Sequence, residues 1–398
     1  MRIGVYGGTF DPPHMGHLTA AVAAARLLAL EKLIFIPAGI PPHKELASQT
    51  PEAKHRLAMV RLMAEQAELE TGIETDVSQV EIVRKGRSYT VDTLRGLRGE
   101  YPDDELWLLM GTDMFLTFQN WRAPEEILSI CGICAFGRSE SDTEELFAVQ
   151  RQYLAQRFPG ARITTLTLPN IVEVSSTQLR AGLAKDGLVR ELLPTVQGYI
   201  LRAGLYGTKF DLKRLDIKAL RPAALSFLHA RRVPHVLGTE ETAVKLAERY
   251  GVNTEDARTA ALLHDCTKRL HMPEHLAICE RHGIVLDELE RKTVKLLHAK
   301  TGAALARELF GVNDAVYEAI SWHTTGKAGM TTFEKVLYLS DYIEPTRNFD
   351  GVERLREAVW RDLDEGLLLG LTMTVEEMRA KGYVIHPNTM GAIESLRG

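Results

Sequence analysis

The sequence predicts an α/β domain built on a parallel sheet, followed by an all-helical domain, in a chain of 398 residues. Through about residue 205, short apolar runs alternate with amphipathic helical stretches, which is typical of a sheet covered by helices on both faces. Beyond Phe210 nearly every segment has apolar residues three and four positions apart, as helices do. We therefore predict two domains, at residues 1–205 and 206–398, joined within residues 204–211.

Five apolar runs are the predicted strands of the first domain, and four amphipathic stretches between them are its predicted helices. The strands are expected at residues 3–6, 33–37, 106–110, 130–136 and 163–168. The helices are expected at about residues 20–30, 51–67, 91–98 and 144–156. In such sheets ligands bind beyond the carboxyl ends of the strands, so the loops that follow these runs are where we expect chemistry.

Composition narrows the class of protein. The formal net charge of -5 provides no basic field, so we expect no nucleic-acid partner. We find neither a membrane-spanning run nor a signal-peptide pattern, so we expect a cytoplasmic protein that acts on small molecules. Cys131 and Cys134 lie in a predicted strand and are expected to be structural. The oligomeric state stays open.

The first predicted strand runs directly into GGTFDPPHMGH at residues 7–17 and then into a helix. Glycines let the backbone approach an anion closely, and a helix N-terminus presents unpaired N–H groups. His14 and His17 are three residues apart, so both imidazoles can face one side and donate to phosphate oxygens. Two such histidines could also belong to a capped helix start without function. The residues expected to cradle the nucleotide are Gly7, Gly8, Thr9 and Phe10.

A second anion-binding device is predicted at VSSTQLR, residues 174–180. Here the hydroxyls of Ser175, Ser176 and Thr177 lie at a helix N-cap, and Arg180 lies on the first turn. Simple capping of the helix is the alternative.

GGTFDPPHMGH and VSSTQLR resemble the HxGH and (I/V)SST signatures of the Rossmann-like nucleotidyltransferase superfamily, whose members transfer adenylyl or cytidylyl groups. The resemblance covers about residues 1–205. It is closest to the bacterial nicotinate mononucleotide adenylyltransferases, because of PPHK at residues 41–44, SYTVDTL at 88–94, and GTDM at 111–114 followed by Trp121.

This resemblance implies transfer of AMP from ATP to nicotinate mononucleotide, with Mg²⁺ on the departing phosphates and no protein nucleophile. The implied ligands of the nicotinate ring are Ser88, Tyr89, Thr90 and Trp121, although Trp121 could serve ordinary packing. Gly111 and Asp113 would flank the nucleotides. The expected catalytic donors and cations are His14, His17, Lys44 and Arg180. Nicotinamide mononucleotide or phosphopantetheine remain alternative acceptors.

Six side chains of the second domain point to a metal centre. Asp341 lies four residues after Leu337 on an apolar stripe, where an ionised carboxylate is costly unless it is compensated. Any single histidine here is more simply a neutral core residue, but the set together indicates a site. Nitrogen and oxygen ligands without cysteine suit Fe, Mn, Zn, Ni or Co, and six of them suit two ions that share Asp265 and a water. The predicted ligands are His235, His264, Asp265, His298, His323 and Asp341.

HDCTK (264–268), LLHAKTGA (296–303), HTTGK (323–327) and LSDYIEPTR (339–347) resemble the HD superfamily of metal-dependent phosphohydrolases. The narrower resemblance, over residues 212–396, is to the bacterial subfamily that splits diadenosine tetraphosphate symmetrically into two ADP. It implies two divalent transition metals, with iron expected first and manganese or others as alternatives.

The same resemblance assigns roles beyond the metal ligands. Asp265 and Lys268 would be catalytic, and Thr325, Lys327 and Arg347 would contact substrate phosphates. A nucleotide-binding regulatory module without turnover is the alternative for this domain. Three further histidines in a polar stretch are expected at the surface: His271, His275 and His282.

Overall fold

The computed structural model describes residues 1–41, 46–84, 86–137, 142–168 and 175–397. The chain divides into two compact units, Met1–Lys209 and Phe210–Gly398. Each unit is described by itself below. Among the described residues, no helix combines the length and the hydropathy needed to cross a lipid bilayer.

In the described part of the first unit, six strands form one parallel sheet in the order β3-β2-β1-β4-β5-β6. The strands are β1 (Arg2–Gly8), β2 (Lys32–Pro37), β3 (Glu74–Val77), β4 (Glu105–Gly111), β5 (Cys131–Phe136) and β6 (Ile163–Leu166). The five predicted strands and the Rossmann-like fold are confirmed. The additional strand, β3, lies at the edge of the sheet and has the sequence ETDV, whose polar residues give no apolar signal.

Nine helices of the first unit lie among the described residues. They are α1 (Met15–Leu27), α2 (Ala53–Thr71), α3 (Val80–Val83), α4 (Thr90–Glu100), α5 (Thr112–Leu116), α6 (Pro124–Ile130), α7 (Glu144–Arg157), α8 (Ser176–Asp186) and α9 (Pro194–Ala203). Successive residues of a strand point to opposite faces of the sheet, so alternate strand residues pack in two different apolar clusters. Tyr6 and Phe35 pack with α1, α2 and α9, whereas Val5 and Ile34 pack with α4, α6 and α7.

The two cysteines of β5 are core residues, as predicted. Cys131 packs in the cluster with Val5, and Cys134 packs in the cluster with Tyr6. Burial raises the pKa of each thiol to about 12. Because the two side chains enter different clusters, they do not form a joint metal or redox site.

Helices are the only regular elements among the described residues of the second unit other than short 3-10 turns, which confirms the prediction. Its helices are α10 (Ile217–Leu225), α11 (Val233–Tyr250), α12 (Thr254–Leu263), α13 (Met272–His282), α14 (Val294–Phe310), α15 (Asp314–Trp322), α16 (Thr332–Ile343), α17 (Val352–Arg361), α18 (Leu363–Ala380) and α19 (Pro387–Arg397). Side-chain caps start α12, α15 and α16, where Asn253, Asn313 and Thr331 accept backbone N–H bonds. An apolar cluster joins α11, α12, α14, α15 and α16.

Candidate functional site

The order of the sheet reverses between β1 and β4, so a crevice opens at the carboxyl ends of these two neighbouring strands. The loop after β1 begins with Gly7, which is exposed, and a side chain at this position would meet no atom within 4 Å. Gly8 and Thr9 are half-buried. Phe10 adopts the left-handed φ of 48°, and its buried ring lies 5.0 Å from the ring of His17. The buried ring of Phe10 therefore anchors the loop.

His14 and His17 lie together where β1 leads into α1. Their ring centroids are 3.8 Å apart. The backbone N–H of His14 donates to Nδ1 of His17 at 3.2 Å. A neutral His17 therefore carries its proton on Nε2, where it can donate to a phosphate oxygen.

Asp11 connects this loop to α8. Nη1 of Arg180 donates to the Asp11 carbonyl at 2.8 Å and lies 3.5 Å from its carboxylate. The hydroxyls of Thr50 and Tyr206 donate to the same carboxylate at 2.6 and 2.8 Å. The sequence analysis missed Asp11, because its partners lie 39, 169 and 195 residues away. The contact fixes the guanidinium of Arg180 beside the loop after β1.

The start of α8 is a capping box. The hydroxyl of Ser175 accepts the N–H of Gln178 at 3.1 Å, and Oε1 of Gln178 accepts the N–H of Ser175 at 3.2 Å. The hydroxyl of Thr177 accepts a bond from Arg180 at 3.2 Å. Ser176 is the first residue of the helix. The cap is thus formed, and anion binding by these residues stays a prediction.

Gly111 ends β4 and is the N-cap of α5, and Asp113 is exposed at the second position of that helix. Because β4 pairs with β1 in parallel, this end of β4 lies at the same edge of the sheet as the loop that contains His14. The structure therefore brings both predicted nucleotide segments to one crevice.

The segments predicted to hold the acceptor ring also lie together. The guanidinium of Arg122 lies 4.6 Å from the ring centroid of Tyr89, and the neighbouring Trp121 is 5.4 Å from Phe118. Ser88 is buried, and Thr90 begins α4. Trp121 is half-buried, so packing accounts for part of its environment. Lys44 lies outside the described residues.

In the second unit, the six predicted metal ligands converge from α11, α14, α16 and the C-terminal ends of α12 and α15. Nε2 of His235 lies 3.0 Å from Asp341 Oδ1, and Nε2 of His264 lies 3.4 Å from Asp265 Oδ2. Nε2 of His298 lies 3.3 Å from Asp265 Oδ1 and 3.0 Å from Nε2 of His323. Five of the six residues are buried, and Asp341 is half-buried.

The four histidines present the same nitrogen to the centre. His264, His298 and His323 each hold Nδ1 within 2.6–2.7 Å of the carbonyl three residues earlier. Nδ1 of His235 lies 2.9 Å from Glu344 Oε1. These carbonyl and carboxylate acceptors assign the proton to Nδ1, which leaves Nε2 as a lone-pair donor directed at its neighbours. The sequence analysis missed the orienting role of Glu344.

This donor set fits a divalent cation. Nε2 of His235, Nε2 of His264 and Oδ1 of Asp265 are buried without a hydrogen-bond partner among the described residues. Two groups, His235–His264–Asp341 and His264–Asp265–His323, each offer three ligand atoms within 4.8 Å of one another. Buried lone pairs that face one another are costly unless a cation compensates them.

The electrostatics of the centre agree with this interpretation at Asp265 and His323. At His264 burial opposes protonation, but Asp265 and Asp341 outweigh it and raise the pKa of the imidazole above its ordinary value. Burial opposes ionisation of Asp265, but His264, His298 and Lys268 outweigh it and hold the pKa of the carboxyl well below its ordinary value. Burial and the neighbouring imidazoles lower the pKa of His323 well below its ordinary value. The centre therefore combines ionised carboxylates with a neutral His323, which are the forms that bind a metal.

Three cationic side chains line this centre. Lys268 lies 3.6 Å from Asp265 and Arg347 lies 2.7 Å from Asp341. Arg232, which the sequence analysis missed, donates through Nε to Asp265 at 2.6 Å. The only feature of the sequence that could have placed Arg232 at this centre is its position three residues before His235. The side chains of the three cations remain 26–37% exposed, so they can also meet an anionic ligand.

Two predicted phosphate contacts are engaged elsewhere. The hydroxyl of Thr325 donates to the carbonyl of Gly326 at 2.9 Å. The ammonium of Lys327 pairs with Glu334 at 2.7 Å and with Glu318 at 3.2 Å. The hydroxyl of the preceding residue, Thr324, lies 3.4 Å from Nε2 of His298. Substrate contacts by Thr325 and Lys327 stay predictions that this geometry does not favour.

His275 was predicted to lie at the surface, and this prediction is wrong. His275 is fully buried, and its Nδ1 lies 2.8 Å from the hydroxyl of Thr301. His271 and His282 are exposed, as predicted. The polar sequence around His275 hid the fact that one face of α13 packs against α14.

Comparisons with known proteins agree with both halves of the chain. A family described as cytidylyltransferase-like matches residues 5–182, and one described as HD domain matches residues 232–346. Proteins of Thermomicrobium roseum and Pseudomonas syringae pv. tomato, each named "Probable nicotinate-nucleotide adenylyltransferase", are 37% and 40% identical to this chain over 211 and 217 residues. The alignments cover 52% of this chain and 92% and 93% of those proteins.

The second half also has a relative of known structure. The crystal structure of a "predicted HD superfamily hydrolase involved in NAD metabolism" from Clostridium acetobutylicum is 37% identical in sequence, with a TM-score of 0.45. The match covers 46% of this chain and 97% of that chain.

Proposed function

Given that this chain belongs to the nicotinate-nucleotide adenylyltransferase family through its first unit and carries an HD domain in its second, we propose that it is an enzyme with two activities. The first unit transfers AMP from ATP to nicotinate mononucleotide, which yields deamido-NAD and pyrophosphate. The second unit hydrolyses diadenosine tetraphosphate symmetrically to two ADP.

The adenylyl transfer needs positioning and charge stabilisation rather than a protein nucleophile. A phosphate oxygen of the acceptor bonds to the α-phosphorus of ATP, and the bond from that phosphorus to the departing pyrophosphate breaks. Nε2–H of His17, together with His14 and Arg180, donates to the phosphate oxygens as negative charge grows on them. Mg²⁺ bound to the triphosphate supplies further charge neutralisation. The contact between Arg180 and Asp11 supports this role, since it holds the guanidinium at the loop.

The hydrolysis joins the oxygen of one water to a central phosphorus of the tetraphosphate. The bond between that phosphorus and the central bridging oxygen breaks, and each half leaves as ADP. Arg232, Lys268 and Arg347 bind the phosphate oxygens and neutralise their charge. When bound, divalent cations supply Lewis acidity to the phosphoryl group and to the water. They would be held by the six converging side chains, His235, His264, Asp265, His298, His323 and Asp341.

One observation carries the proposal for the second unit: four imidazoles direct their Nε2 atoms at the carboxylates of Asp265 and Asp341. A stable helical core has no need of this arrangement, because apolar residues that replaced the whole set together would leave no unsatisfied neighbour. The neighbouring cations favour a phosphorylated substrate over a neutral one.

Product analysis of the full chain tests both activities. With ATP and nicotinate mononucleotide we expect deamido-NAD and pyrophosphate, and with diadenosine tetraphosphate and Mn²⁺ we expect ADP alone. His17→Ala should remove the first activity and leave the second, whereas His264→Ala should do the reverse. Each variant is thus the folding control for the other.

Three outcomes would contradict the proposal. Faster transfer to phosphopantetheine or nicotinamide mononucleotide would reassign the acceptor. Formation of AMP and ATP from diadenosine tetraphosphate would exclude symmetrical cleavage. Metal binding without any formation of ADP would indicate a regulatory module in place of the hydrolase.

A further inference from the structure

His275 lies at one end of a buried chain of polar side chains behind the metal centre. Its Nδ1 is 2.8 Å from the hydroxyl of Thr301, which is 3.0 Å from the hydroxyl of Thr267. The hydroxyl of Thr267 also lies 2.9 Å from the carbonyl of His298. His275, Thr301 and Thr267 are fully buried. The chain therefore runs from α13 through α14 to the loop that carries Asp265.

The hydrogen-bond donors in this chain can be assigned. Thr267 donates to the carbonyl of His298, and Thr301 shares its proton between the carbonyl of Leu297 at 2.8 Å and the hydroxyl of Thr267 at 3.0 Å. A hydroxyl has one proton, so neither threonine has a second proton for His275. His275 must then donate from Nδ1 to Thr301. Loss of this donor would leave the buried hydroxyl oxygen of Thr301 without the hydrogen bond that it accepts.

The two threonines of the chain are attached to two predicted metal ligands. Thr267 is two residues after Asp265 and holds the backbone of His298, whose Nε2 lies 3.3 Å from the Asp265 carboxylate. Thr301 is three residues after His298 and so lies on the same face of α14. A shift of α14 relative to the Asp265 loop would change the distance between these two ligands.

We propose that His275 is a positioning residue which, through Thr301 and Thr267, fixes His298 against Asp265 and so sets the affinity of the HD centre for its divalent cation. The inference rests on the metal centre of the proposed function. Groups that orient metal ligands change metal affinity about 10- to 100-fold when they are removed.

The test measures the dissociation constant of Mn²⁺ from the full chain by competition with a chelating dye, together with the melting temperature without metal. His275→Leu and Thr301→Val remove one donor and one hydroxyl at similar volume. Each should weaken Mn²⁺ binding about tenfold or more. The double variant should weaken binding little beyond either single variant, because both changes break the same chain.

Two matched variants distinguish a role of His275 in positioning the metal ligands from a general effect on protein stability. His275→Asn keeps an N–H near the position of Nδ1 and should bind Mn²⁺ within about threefold of the wild type, since a surviving donor preserves the orientation. Thr372→Val removes a comparable bond, from Thr372 to the Leu368 carbonyl at 2.7 Å in α18, and should leave Mn²⁺ affinity unchanged.

Wild-type Mn²⁺ affinity in His275→Leu and Thr301→Val, with a lowered melting temperature, would overturn the inference and leave the proposed hydrolase intact. Equal weakening by His275→Leu and His275→Asn would also overturn it. Weakened Mn²⁺ binding in an enzyme that releases no ADP would support the inference and contradict the proposed substrate. A wild-type chain that binds no Mn²⁺ would overturn both.

Discussion

Arg232 bonds to the buried carboxylate of Asp265, yet a quarter of its side chain is still exposed. Its neighbour Arg231 is exposed. Adjacent arginines thus differ in environment although sequence alone makes them equivalent. The difference arises because Arg232 immediately precedes α11, whose His235 enters the centre.

We expect Arg232→Gln to raise the KM for diadenosine tetraphosphate about 10- to 100-fold, because a charge-assisted hydrogen bond to phosphate contributes about 1.5–3 kcal/mol. Arg231→Gln is the matched control and should keep the wild-type KM. Steady-state kinetics in saturating Mn²⁺ measures both. Equal KM values in the two variants would remove Arg232 from the substrate site.

The burial of His275 predicts how the free energy of unfolding depends on pH. Burial lowers its pKa from 6.5 to about 4. Between these values the unfolded chain binds a proton that the folded protein excludes, so the free energy of unfolding falls as pH falls. The stability that the neutral, buried His275 provides is fully present above pH 6.5. As the pH falls towards 4, the free energy of unfolding decreases progressively, by up to about 3 kcal/mol.

Chemical denaturation of the wild type and of His275→Asn between pH 4 and pH 7 measures this contribution. The difference in stability between the two proteins should shrink or reverse as the pH falls, because asparagine does not titrate. A difference that is constant over the range would show that His275 does not carry the effect.

Replacing glycine with alanine is expected to have opposite effects on stability at two positions of the first unit. Gly39 follows β2, and a Cβ atom there would lie 2.1 Å from the carbonyl oxygen of Glu81 in α3. Gly96 lies exposed within α4, where a Cβ atom would meet no atom within 4 Å. The first glycine is required by a close backbone approach, whereas the second lowers helix propensity.

Gly39→Ala should destabilise the first unit by about 2 kcal/mol or more, because the backbone of Glu81 must move. Gly96→Ala should stabilise it by about 0.5–1 kcal/mol, since alanine loses less backbone entropy on folding. The unfolding transition of the first unit in urea gives both values. Destabilisation by Gly96→Ala would contradict the helical packing of α4 described here.

For the molecule as a whole, each unit has its own apolar clusters among the described residues. A ligand that binds one folded unit stabilises that unit by mass action. The two units should therefore respond separately to their ligands.

Mn²⁺ at about 100 times its dissociation constant should stabilise the second unit by about 3 kcal/mol and leave the transition of the first unit in place. Differential scanning calorimetry with and without Mn²⁺ resolves the two transitions. His264→Ala should abolish the shift, because it removes a predicted ligand. A shift that persists in this variant would place the metal elsewhere.

Much of the fold was predictable because the apolar patterns within single strands and helices indicate those elements. The strands around Val5 and Leu108 are continuous apolar runs, whereas the edge strand β3 has the polar sequence ETDV and was missed. His275 was assigned to the surface because its neighbours in sequence are polar. Its burial depends on the packing of α13 against α14, which local periodicity does not report.

By itself, the sequence determined the two kinds of domain, and it predicted the histidine loop after β1 and the six side chains that converge in the second unit. The tertiary structure alone decided which further groups join them: Asp11 beside Arg180, Arg232 beside Asp265, and Thr324 in place of Thr325. The physical reason is distance along the chain. Periodicity and motif spacing report burial and neighbours within one element, but hydrogen-bond partners on different elements meet only once those elements pack.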